Sequence, residues 1–71
     1  MKEYAWYEVW ADDTARAPYI LILLFHEEKH SFDIYGPGEK TVRHTCGAYQ
    51  DAMFWLTADE YTKVDGRMTI V

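Results

Sequence analysis

Apolar residues come in short runs separated by polar turns, and the densest run is Tyr19 to Phe25, YILILLF, seven apolar residues with no polar break. A strand with one wet face would alternate. A run that does not alternate belongs to a strand buried on both faces or to a buried helix. The β-branched and aromatic members, Pro18 before the run and His26-Glu27-Glu28-Lys29-His30 after it favour the strand. At an open edge such a segment would be an aggregation site, so it is expected in the middle of a sheet, with a neighbour on each side.

The flanking segments supply those neighbours. Glu3 to Ala11, EYAWYEVWA, predicts a first strand with Tyr4, Trp6, Glu8 and Trp10 on one face and Ala5, Tyr7, Val9 and Ala11 on the other. Ser31 to Tyr35 predicts a third strand. Gly36-Pro37-Gly38-Glu39 fits a type II turn, with Gly38 free to take positive φ. Lys40 to Thr45 predicts a short fourth strand, polar enough for an edge. A helix is expected over about Ala48 to Ala58, with Tyr49, Ala52, Met53 and Leu56 on one face and Thr45 or Gly47 as N-cap. Phe54 falls on its outer face beside Gln50 and Asp51, and Trp55 on its flank. Glu60 to Val71 reads as a hairpin around Asp65-Gly66, with Tyr61, Lys63, Met68 and Ile70 sharing a face.

The order β-β-β-β-α-β, with room for one more strand, predicts an α+β fold. Its mainly antiparallel sheet has four to five strands and carries one helix on one face. A small β-barrel with a helix is the alternative architecture. Seventy-one residues form one domain, residues 1–71, and a chain of this length buries only about 60% of its unfolded surface. Small domains compensate with metals, disulfides, dense aromatic packing or association. One cysteine, Cys46, excludes an internal disulfide and suits a reducing cytoplasm, whereas aromatic residues make up 17% of the chain.

The formal charge of −5, with seven Lys and Arg placed singly, leaves no basic stripe for phosphates, so no nucleic-acid partner is expected. No membrane association is expected either, since the run from Ala17 to Phe25 is half the length of a span. Met1-Lys2-Glu3-Tyr4 lacks the cationic start and apolar stretch of a signal peptide, and the chain reads as a complete cytoplasmic reading frame.

Chemistry-bearing residues are few. His26, His30, His44 and Cys46 are the candidate ligands for a borderline-soft cation. Their spacing is weak, because H-x3-H carries meaning on a helix and here straddles a turn. Cys46, ahead of the helix with His44 as a base, is the candidate nucleophile, without an evident orienting group. Asp12-Asp13, Glu27-Glu28 and Asp59-Glu60 are adjacent pairs that point apart on an extended chain. No cofactor is expected.

The remaining candidate is a surface. One helix covers one face of a sheet. If it covers the side of Ala5, Tyr7 and Val9, where small residues permit close approach, then Tyr4, Trp6 and Trp10 form an open aromatic row, with Phe54 as a second contact point. The alternative is that loops or the C-terminal hairpin fold over the row and it is ordinary core. The expected function is therefore non-enzymatic: a protein-interaction module that self-associates or binds a protein partner. A small metal- or thiol-dependent enzyme using His44 and Cys46 is the alternative.

Overall fold

The apolar run lies where its composition requires, inside a sheet and paired on both sides. The computed structural model describes residues 4–12, 19–64 and 66–70. They form β1 (Tyr4–Asp12), β2 (Tyr19–His26), β3 (Ser31–Gly36), β4 (Thr41–Cys46), α1 (Tyr49–Ala58), β5 (Thr62–Lys63) and β6 (Met68–Thr69). The strands make one antiparallel sheet in the order β4-β3-β2-β1-β5, with β6 also on β1. The fold is α+β with one helix packed on one face. The sheet stays open, so the barrel alternative is set aside.

Three local expectations are corrected. Among the described residues, β5 and β6 do not pair with each other as a hairpin. Lys63 and Thr62 pair with Trp10 and Ala11, whereas Thr69 and Met68 pair with Trp6 and Tyr7. Both short strands thus run antiparallel along one edge of β1, as a single interrupted strand held also by Val64 N–H to Val9 and Ile70 N–H to Ala5. The unmatched edge of β1 attracts both halves, which a local turn signal does not reveal. Asp65, half of the expected turn, lies outside the described residues.

In the β3–β4 connection, the left-handed residue is Lys40 at φ 58°, not Gly38, and its N–H bonds the Gly36 carbonyl at 2.7 Å. The β2–β3 turn repeats this device with His30 at φ 53°. A Cβ at Gly36 would meet the Glu39 carboxylate, the end of a flexible side chain that would have to shift, and press on Arg43.

Helix α1 begins after Ala48, which caps it without a side-chain bond, in place of the expected Thr45 or Gly47. Ala52 and Leu56 are fully buried, Tyr49 and Met53 pack beside them, and Phe54 points outward, as the periodicity predicts. The helix lies over β3 and β4. The core joins Ala52 and Leu56 to Trp10, Leu21, Leu23, Phe32, Ile34 and Cys46. Among the described residues, no helix is long and apolar enough to cross a membrane.

Candidate interaction surface

Alternation divides β2 between two unlike environments. Leu21 and Leu23 are buried on the side of the sheet that carries the helix, whereas Ile22 and Leu24 on the reverse face are only partly covered. An apolar run without polar breaks calls for burial on both faces, and among the described residues only one face carries a second layer. This open face is the candidate site.

Cross-strand pairing arranges it in rows. Met68, Tyr7, Leu24, Asp33 and Thr45 form one row, and Val9, Ile22, Tyr35 and Val42 the next. Tyr4, Tyr7, Ile22, Leu24, Tyr35 and Val42 line a shallow concavity of about 550 Å3. Val42, which lines it, and Met68, at the end of the first row, are 44% and 49% exposed. An irregularity between Tyr4 and Trp6 shifts Tyr4 out of phase with the tryptophans and onto this open side. There its ring meets His26 edge-on, and its hydroxyl donates to Asp33 Oδ2 at 2.8 Å. Thr45 donates to the other Asp33 oxygen at 2.9 Å. The carboxylate within these rows thus already holds two hydrogen bonds.

The expected row of Tyr4, Trp6 and Trp10 is not brought together. Only Tyr4 is on the open side. Trp10 is buried and Trp6 packs against the core on the helix side, opposite to the face expected for them. The reason is coverage. A helix about 10 Å wide spans two strands, and α1 lies over β3 and β4. The helix-side surface of β1 and β2 is therefore filled by large rings, with Trp6 stacked on Phe25. The Arg67 guanidinium roofs Trp6 at 3.8 Å from the ring centroid, and Lys63 lies 5.9 Å from Trp10. Phe54, the other expected contact point, is 76% exposed on the far side of the molecule.

Between the two tryptophans lies Glu8, whose side chain is fully buried. Its carboxylate accepts hydrogen bonds from Trp10 Nε1 at 3.2 Å and from the Tyr49 hydroxyl at 3.0 Å to each oxygen. Arg67 Nε approaches at 3.2 Å and Lys63 Nζ at 3.5 Å. Lys63 also donates to Tyr49, and its pKa is raised, first by that bond and further by the Glu8 charge, against desolvation. Every acceptor position of the carboxylate is engaged by the protein, which leaves no room for a substrate. The cluster is a latch that fastens Lys63 and Arg67 to β1 and α1. Sequence offers one clue to it: an acid at the centre of an aromatic row on a strand must bury its charge or find cations.

The candidate ligands separate. His26 sits under Tyr4 and accepts the Lys29 N–H at Nδ1. His30 meets Phe25 edge-on, and the His44 ring lies flat on Trp55, 5.2 Å between centroids. Among the described residues, no three His, Cys, Asp or Glu side chains converge as a metal site would require. The Cys46 thiol is buried, and burial, reinforced by the negative Asp51, pushes its pKa up. That is the reverse of nucleophile activation. Alkylation of Cys46 at neutral pH is expected to be at least about ten-fold slower in the native protein than in denaturant. Equal rates in the two states, measured by mass spectrometry, would restore the thiol as a candidate.

Compared with protein-family models, curated proteins and solved structures, the chain matches none of them.

Proposed function

We propose that this protein is a non-enzymatic interaction module whose contact surface is the helix-free face of its sheet. The observation that carries this reading is β2: an apolar strand with Leu21 and Leu23 buried on the side that carries α1 and Ile22 and Leu24 on the other, ringed by Tyr4, Tyr7 and Tyr35. A contiguous apolar face of this kind is what protein contacts use. Tyrosine suits it, since a ring with a polar tip tolerates water when free and contributes area when covered.

The surface tested is thus shifted from the tryptophans to tyrosines and aliphatic residues, with Tyr4 common to both. A photo-reactive benzophenone side chain in place of Tyr35 should give protein adducts on illumination in cells. The same side chain at Phe54, which is more exposed but isolated among polar neighbours, should give few. Adducts at Phe54 alone, or equal yields at both positions, would sink the assignment of the face.

A further inference from the structure

At the outer edge of β1, rather than on the open face, we infer that two copies of this chain exchange β5 and β6. Each copy's short strands then lie on β1 of the other, and its Lys63 and Arg67 reach the other copy's Glu8. Three features support the exchange.

The first is the fit between edge and occupant. Without β5 and β6, β1 presents an unpaired ladder with Trp6, Glu8 and Trp10 on the helix side. A strand that fills it must bring two cations to Glu8 and seat one of them on Trp6. It must do so in register with Trp6, Tyr7, Trp10 and Ala11. Lys63 and Arg67 meet that demand, and a second copy carries the identical pattern. Charge and register thus select a second copy through the same contacts that hold the segment within one chain.

The second is the hinge. Helix α1 ends with Asp59 N–H and Tyr61 N–H donating to the Leu56 carbonyl and Glu60 N–H to that of Thr57. This short return holds Glu60 at φ 65°. Left-handed backbone suits glycine, not a glutamate. An opened hinge lets Glu60 become extended, and short connections under strain favour exchange for that reason.

The third is how lightly the segment is held. β5 and β6 are two residues each, and none of residues 62–64 or 66–69 is buried. Release therefore takes little of the segment's own surface out of cover. What it uncovers is Glu8 between two indole rings, and exchange restores every contact there.

Refolding the full chain from urea at about 10 µM and at about 1 mM, followed by sedimentation velocity, tests this. Monomer should dominate the dilute sample, and dimer should accumulate in the concentrated one. Dimer refolded from mixed isotope-labelled and unlabelled chains should give filtered NOEs between chains for Trp6 with Thr69 and Tyr7 with Met68. Glu60→Gly relieves both hinges of the closed monomers, so it should weaken dimerisation at least about ten-fold. Val42→Lys, on the open face, should leave dimerisation unchanged.

Monomer after refolding at every concentration overturns the exchange and leaves the open face as a contact surface untouched. A dimer that Glu60→Gly leaves equally abundant overturns it too. So does a dimer whose contacts between chains lie on the open face, which would instead give that face its occupant.

Discussion

Leu23→Asp is expected to abolish folding at room temperature. Leu23 is fully buried in the central strand, paired with Ile34 on β3 and with Glu8 on β1. The new carboxylate would be desolvated and placed across the ladder from a carboxylate that is itself fully enclosed. An unpaired buried charge costs several kcal/mol, and the like-charge neighbour adds to that. At roughly 0.05–0.15 kcal/mol per residue, the whole domain is stable by only about 4–11 kcal/mol. Leu24→Asp is the control, one residue along and on the open face, where water still reaches the side chain. It should retain a cooperative thermal transition. If the two variants melt alike, the division of β2 into covered and open faces is wrong.

Glu8→Ala should cost about 2–3 kcal/mol, mainly from buried donors left without an acceptor, because Lys63 and Arg67 are more than a third exposed and can rehydrate. The loss goes beyond the charge pair. Trp10 Nε1 and the Tyr49 hydroxyl lose their acceptor, and Lys63 and Arg67 lose the group that holds them against β1. Arg67→Ala should be milder, since its side chain is half exposed and the carboxylate keeps its other donors. Urea titrations followed by circular dichroism would rank the variants. A Glu8→Ala protein within about 1 kcal/mol of the parent would show that the latch contributes little.

What sequence disclosed was what local pattern controls. The unbroken run of β2, the inward positions Ala52 and Leu56 and the outward Phe54 all follow from the spacing of apolar residues, and the antiparallel order follows from short connections. What it concealed was decided between distant segments. Nothing near Thr62 or Thr69 announces that both lie beside β1, and the Asp65-Gly66 pair reads as a turn because turn chemistry is local. The choice of helix face turned on where α1 rests across the sheet. That placement made Trp6 and Trp10 filling for the uncovered half and left Tyr7, Leu24 and Tyr35 outside. The shift of Tyr4 came from a strand irregularity that no alternation rule foresees.

The interrupted strand on β1 also sets an order of events in time. Strands β2, β3 and β4 and the helix are joined by short connections and zip together once synthesised. The pairs Trp6 with Thr69 and Tyr7 with Met68 instead close almost the whole chain into a loop, and that closure entropy is lost before any contact compensates it. Until that closure, the outer edge of β1 lies unpaired and Glu8 is without Lys63 and Arg67. A chaperone that shields strand edges would find its target there. Native-state hydrogen exchange is expected to show these two-residue pairings parting before the longer β2–β3–β4 ladders.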